Sequence, residues 1–308
     1  MGSGYKIKKD LLNILDERVL VCDGAMGTMI QKYDFKGPND LLNLDLAALK
    51  IIEDIHFQYL EAGSDIIQSN TMGSSVLELQ QSGHLEDIDK INKNGVNAAR
   101  YAIEKYRSKT GNARKIYVAG DMGPTGRVLE PYGDTKYSSV FDSFARHAEI
   151  LLSCAVDLVI IETMIDLNEA VAAVKAVRKT DPDIVIACTL SFQENGVTVM
   201  GNRAELFGAA LIDAGCDIIG ANCSVGSGAM IKITEKIRAA NPYERLLIQP
   251  NAGLPSIVDG KTVFNETPEM MASSFSGILK YKPSIVGACC GSTPQHILQL
   301  AQLVHNKP

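Results

Sequence analysis

The sequence predicts an α/β chain folded as a single-domain (β/α)8 TIM barrel, and three observations predict it. Eight short apolar, β-branched runs alternate with longer segments of helical period along the 308 residues. The runs are nearly continuous in apolar character rather than alternating, which marks strands buried on both faces of a parallel sheet. The length also suits one α/β barrel better than two ordinary domains. A doubly wound open sheet is the competing architecture. It usually has fewer strands and often a glycine-rich phosphate loop, and no GxGxxG follows the first run.

In chain order, residues 1–17 read as an N-terminal helical extension of a barrel domain spanning 1–308. The first run is Arg18–Gly24 (RVLVCDG). Ala47–Ala62 reads as a helix with Leu49, Ile52, Ile55 and Leu60 on one face and Gly63 as its stop. The second and third runs are Ser64–Asn70 (SDIIQSN) and Lys115–Gly123 (KIYVAGDMG). A helix over Val140–Cys154 leads to the fourth run, Asp157–Thr163 (DLVIIET), and one over Leu167–Arg178 to the fifth, Ile184–Leu190. Arg203–Ala214 precedes the sixth run, Asp217–Cys223 (DIIGANC), and Gly228–Ala239 the seventh, Leu246–Gly253. Pro268–Tyr281 and Pro294–His305 flank the eighth, Ser284–Gly291 (SIVGACCG), each with a proline where a first helical turn accepts one.

Composition excludes several classes. Lys and Arg number 30 against 36 for Asp and Glu, a net charge of −6 without the basic face that nucleic acid requires. No apolar run approaches the roughly 18–20 residues of a membrane span. Lysines near the N-terminus are not followed by an apolar stretch, so no signal peptide is expected and the cytoplasm is the expected compartment. Seven cysteines, an odd number in such a chain, argue against a disulfide framework.

Each run ends in a polar or reactive residue: Asp23, Asn70, Asp121, Glu162, Thr189, Asn222 with Cys223, Asn251, and Cys289 with Cys290. In a (β/α)8 barrel these ends form one rim, where chemistry is placed. One polar strand end is uninformative, but eight in register point to a functional rim. Cys223 closes the sixth run and Cys289 and Cys290 the eighth, so three sulfurs can converge there. Two readings fit them: buried structural thiols, or three ligands of a catalytic zinc with one open position. The glycines Gly287 and Gly291 and the shared height favour the metal, whereas Cys22, Cys154, Cys188 and Cys216 read as buried thiols. A zinc with three thiolates suits activation of an incoming thiol, and the chemistry expected is alkyl transfer to sulfur.

At these residues the chain resembles the homocysteine S-methyltransferase family, closest to the homocysteine-binding domain of its cobalamin-dependent methionine synthase branch. The resemblance rests on Asp23–Thr28 (DGAMGT), Gly63–Thr71 (GSDIIQSNT), Gly120–Gly126 (GDMGPTG) and Ile161–Thr163 (IET). It continues through Gly220–Cys223 (GANC), Pro250–Pro255 (PNAGLP), Asp259–Val263 (DGKTV) and Gly287–His296 (GACCGSTPQH). It implies Zn2+ on Cys223, Cys289 and Cys290, with Glu162 taking the substrate ammonium. It further implies that the backbone of Gly24, Ala25 and Met26 takes the carboxylate, that Asp23 supports that loop and that Asn222 shapes the zinc site. The chain departs from the family at Gln68, Met72, Gln249 and Met200–Arg203, near the rim.

The expected activity is zinc-dependent transfer of a methyl group to the thiol of homocysteine, giving methionine. The expected donor is a methyl-corrinoid (methylcobalamin) on a separate protein or domain. Four alternatives stay open: a corrinoid-dependent methyltransferase with another substrate, S-methylmethionine or betaine as donor, a noncatalytic zinc-binding subunit of a corrinoid complex, and a flavin- or phosphate-binding barrel using Gly291–Thr293. His56, His84, His147, His296 and His305 read as surface or packing residues, and support of the cysteine loop by His296, in the first turn after it, is the lesser alternative.

Overall fold

The computed structural model describes residues 2–33, 35, 37–258 and 260–305. Asp259 of the DGKTV motif, and the ends of the 1–308 reading at residues 1 and 306–308, lie outside them. The chain runs α1 (Gly2–Glu17), β1 (Leu20–Val21), α2 (Gly27–Ile30), α3 (Leu46–Glu61), β2 (Ile66–Gln68), α4 (Val76–Ser82), α5 (Ile88–Thr110) and β3 (Tyr117–Met122). It continues α6 (Tyr137–Ser153), β4 (Leu158–Met164), α7 (Leu167–Thr180), β5 (Val185–Leu190), α8 (Phe207–Asp213), β6 (Ile218–Gly226) and α9 (Ser227–Ala240). Last come β7 (Arg245–Asn251), the hairpin β8 (Pro255–Val258) and β9 (Lys261–Phe264), α10 (Pro268–Ile278), β10 (Ile285–Val286) and α11 (Pro294–His305).

Eight parallel strands pair in the order β1-β10-β7-β6-β5-β4-β3-β2. A parallel bridge between Cys22 and Ile66, with Asp65 N–H donating to Val21 O at 2.6 Å, joins the two edge strands and completes the (β/α)8 barrel. Side chains alternate by two along each strand. One set, including Val21, Ile67, Val118, Val159, Ile186, Ile219 and Ile248, packs outward against the helices. The other fills the lumen: Leu20, Ile66, Tyr117, Leu158, Val185, Ile218, Leu247 and Ile285. Leu11 and Leu15 of α1 join this inner cluster, so the helical extension closes the N-terminal mouth of the barrel. Chemistry is thereby left to the opposite end.

The inward alternation, continued upward, changes from apolar to polar at Gln68, Asp121, Glu162, Asn222 and Gln249, all of them buried or nearly so. Two connections differ from the sequence reading. Between β2 and β3, where it assigns no helix, lie α4, capped by Ser75 and ended by Gly83 at φ 77°, and the long α5. Conversely, α8 starts at Phe207 rather than Arg203. Residues ahead of it close a turn instead, with Thr198 N–H donating to Asn202 O at 2.8 Å and Gly201 at φ 88°. Among the described residues, no helix is long and apolar enough to cross a membrane.

Candidate active site

Strand irregularities bring the cysteines together. The β6–β7 register shifts between Asn222 and Gly226, and Cys223 and Ser224 take positive φ values of 58° and 60°. Such a bulge turns a side chain out of the strand's alternation. The loop after β10 is laced to the end of β7: Cys289 N–H donates to Pro250 O at 2.7 Å, and Ala252 N–H to Cys290 O at 2.9 Å. Cys223 Sγ then lies 3.8 Å from Cys290 Sγ, which lies 3.9 Å from Cys289 Sγ. All three sulfurs fall within 4.8 Å of one another, the one such group of potential metal ligands among the described residues.

The spacing suits a metal. Tetrahedral zinc with Zn–S bonds near 2.3 Å requires sulfurs about 3.8 Å apart. Hydrogen bonds from the Cys289 and Cys290 thiols pull the Cys223 pKa down to about 3. The same bonds to Cys223 hold the Cys289 thiol well above its usual value and push Cys290 up to about 12. Cys223 is thus the sulfur most readily deprotonated, and loading a metal onto all three must expel the protons the others hold.

Gly291 makes the loop possible. It sits at φ 81° with its Cα against the Phe264 ring at the foot of the β8–β9 hairpin, and an added Cβ would run into that ring. Its N–H donates to Thr28 Oγ1 at 3.2 Å. Gly291→Ala is expected to cost about 2–3 kcal/mol from the backbone conformation and the clash together. Urea unfolding of the metal-free protein checks the stability, and metal titration should show weaker zinc binding. Nearby, His296 accepts the Thr293 N–H at Nδ1 (3.1 Å) and donates from Nε2 to the Glu266 carbonyl (2.9 Å). Glu266 in turn accepts from Ser227 N–H at 3.1 Å, tying the turn before α10 to the start of α9.

Beside the sulfurs opens a cavity of about 330 Å³, lined by Cys289 and Cys290, by Gly24–Thr28, by Glu162, Gln68 and Gln249, and by Asp23, Asp40 and Asp121. Its described lining holds four carboxylates and no Lys or Arg. Burial, reinforced by the negative Cys223 and opposed by a Gln68 hydrogen bond, lifts Glu162 to about 7. Burial lifts Asp23 to about 8 against the opposing Gln68 N–H at 3.0 Å, and Asp40 to about 6. Asp121, raised well above the normal range by burial and by Glu162, has Oδ1 without a partner among the described residues.

These shifts fix a sign for stability. Asp23 and Asp40 have folded-state pKa values above their unfolded ones, so the metal-free folded state binds more protons than the unfolded state. Stability is full below about pH 4 for these two groups and falls as pH rises, through about 6 for Asp40 and about 8 for Asp23. Asp23→Asn should remove one group's slope, about 1.4 kcal/mol per pH unit, across pH 4–8. Chemical denaturation at several pH values reads it.

The structure brings most of the sequence-derived site residues to this place. Asp23, Gly24, Ala25, Met26 and Glu162 line the cavity with the paired cysteines, and Asn222 lies buried behind Glu162. Asn222 Nδ2 donates to Glu162 Oε2 at 2.9 Å and to Thr163 Oγ1 at 2.8 Å. Its Oδ1 accepts from Thr163 N–H at 2.9 Å and from the Thr189 hydroxyl at 2.8 Å. Asp23 bonds across to Gln68 N–H, and the loop is held instead by Ser292 Oγ on Ala25 N–H (3.0 Å) and by Tyr59 OH on Ala25 O (2.8 Å). Of the departures, Gln68, Met72 and Gln249 line the cavity and Met200–Arg203 does not. Asp40 was invisible in the sequence because it comes from the first long loop, not from a strand end. Asn251, which hydrogen-bonds Cys223 and has an unpartnered Oδ1, counted there only as a polar strand end.

Residues 20–304 match the profile of the homocysteine S-methyltransferase family. The chain belongs to that family. Methionine synthase of Mycobacterium tuberculosis is 32% identical over 96% of this chain, and that of Mycobacterium leprae 33% over 97%. The chain corresponds to 25% of the length of each. The homocysteine methyltransferase MmuM of Escherichia coli has the same fold. Its metallated form superposes with a TM-score of 0.79 at 18% identity, covering 96% of this chain and 99% of that one. Its apo form gives 0.73 at 20% identity, covering 93% and 96%.

Proposed function

We propose that this member of the family methylates the thiol of L-homocysteine to give methionine, with Zn2+ held by Cys223, Cys289 and Cys290. The observation that carries the reading is the convergence of the three sulfurs, two of which line a cavity that Glu162 also lines. Zinc bound there would supply a vacant fourth position that acidifies an incoming thiol.

The protein's own groups do the rest. Glu162, held by Asn222, accepts the substrate ammonium, and a buried carboxylate is a strong partner for it. With Ala25 N–H already bonded to Ser292, the amides of Gly24 and Met26 meet the carboxylate. These contacts orient the thiol toward the sulfur trio and set its carbon chain along the cavity, so that its sulfur faces the donor in line. The donor we propose is a methyl-corrinoid carried on a separate protein or domain. What supports it is the extended match to methionine synthases, together with the PNAGLP and GDMGPTG segments.

The test offers zinc-loaded protein L-homocysteine with methylcobalamin, S-methylmethionine or betaine and measures methionine. Methionine from methylcobalamin alone is expected. Production from either small donor alone would replace the corrinoid, and none from any donor, with zinc bound, would refute the reading. Glu162→Gln is expected to raise the KM for homocysteine about 10- to 100-fold with zinc content unchanged, since it removes a charged hydrogen bond to the substrate. Steady-state kinetics and metal analysis on one preparation check it.

A further inference from the structure

Two glutamines, Gln249 buried and Gln68 partly so, meet across the barrel lumen at the base of the cavity. Gln249, on β7, is 2% exposed, and its Nε2 donates to Gln68 Oε1, on β2, at 2.7 Å. The amide orientations are set by what surrounds them. The Gln68 side-chain hydrogen bond favours the charged form of Glu162, as an amide N–H given to the carboxylate does, so that end of Gln68 presents N–H. Gln68 Oε1 therefore faces the other way, where the Cys22 thiol lies at 3.1 Å, and Gln249 must present N–H to it. That leaves Gln249 Oε1 as a buried acceptor with no partner among the described residues, on a side chain that lines the cavity together with Glu162. A buried acceptor left unpaired is costly, and such a group in a cavity marks where a donor on a ligand belongs.

Resting on the homocysteine reading above, we infer that Gln249 is a specificity-determining residue: its Oε1 is a second acceptor for the substrate ammonium, beside Glu162. An ammonium carries three N–H donors, and a single carboxylate does not satisfy them. Gln68 is a positioning residue in the same device. It aims Gln249 with one end of its amide and Glu162 with the other. Because both glutamines are neutral, they add directional acceptance without more negative charge in a wall that already holds four acids. The result is selection for a primary α-ammonium on the thiol.

The test is calorimetric binding of L-homocysteine and of its desamino analogue, 4-mercaptobutanoate, to zinc-loaded wild type and Gln249→Met, with zinc content measured on both. Methionine keeps the side-chain volume and removes the acceptor. The variant is expected to lose about 10- to 100-fold in affinity for homocysteine relative to 4-mercaptobutanoate, the range for one hydrogen bond to a charged group. An unchanged ratio overturns the inference. If the variant does not fold, the wild type decides with N,N-dimethylhomocysteine, a cation with one N–H. At least tenfold weaker binding than homocysteine is expected, and equal binding overturns the inference. Wild type that binds neither thiol overturns the homocysteine reading and this inference with it, whereas the altered ratio alone bears on Gln249.

Discussion

Cys290→Ala is expected to strip zinc from the protein and lower methyl transfer by more than about a thousandfold while leaving the barrel folded. The two parts of that outcome have separate causes. Cys290 Sγ is the sulfur within 4 Å of both others, at 3.8 Å from Cys223 and 3.9 Å from Cys289, so its loss leaves two ligands and no closed face. A catalytic zinc needs three protein ligands to keep one position for the substrate. The fold is indifferent because Cys290 is half-buried in the loop beyond β10, above the lumen core of Leu20, Leu158, Leu247 and Ile285. Compared metal-free, wild type and variant should differ by no more than about 1 kcal/mol, the net worth of the thiol hydrogen bonds. Metal analysis, circular dichroism and turnover on one sample separate this from the alternative of structural thiols, which predicts lost stability and no change in metal. Undiminished turnover would end the zinc reading.

The barrel was legible because buried parallel strands write themselves as short apolar runs, and all eight runs hold a strand of the sheet. The helices between β2 and β3 were not. The buried stripe of α5 runs Ile88, Ile91, Val96, Ala99, Ala102 and Ile103 but is broken by buried Asn92 and Gly95, which dilute the period. Nor does a sequence show that the N-terminal extension turns Leu11 and Leu15 into the lumen, since that depends on an opening formed by all the strands at once.

The site divides in the same way. The cysteines and Glu162 could be found because each stands at the end of its own run. The Gln68–Gln249 contact joins positions 181 apart through the lumen, and its meaning comes from amide orientation rather than residue type. Sequence reading marks both residues only as departures from family habit. Asp23 shows the converse. It lies where expected, yet its carboxylate bonds to Gln68 N–H on the neighbouring strand, leaving the Gly24–Met26 loop to Ser292 and Tyr59.

Asn222→Ala is expected to damage stability and substrate binding together, because the residue next to Cys223 carries an amide that holds Glu162. Asn222 is fully buried and its side-chain amide makes four hydrogen bonds, two given and two received. Two of its partners belong to Thr163, a β-branched residue held at φ 62°, a conformation that survives only where its surroundings enforce it. Alanine would leave the Thr163 N–H, the Thr189 hydroxyl and a Glu162 oxygen buried without these partners. The expected cost is about 3–5 kcal/mol, mainly the desolvation of groups left unpaired. Glu162 would lose a donor that favours its charged form, so its pKa should rise from about 7 and the pH dependence of homocysteine binding should move upward with it. Asn222→Asp sharpens the test. It keeps the shape but sets a second carboxylate against Glu162, so it should push that pKa higher than alanine does. Denaturant unfolding gives the first quantity and the pH profile of kcat/KM the second. A variant that loses stability but keeps the wild-type pH profile would show Asn222 to be a brace for Thr163 alone, with no hold on the acid.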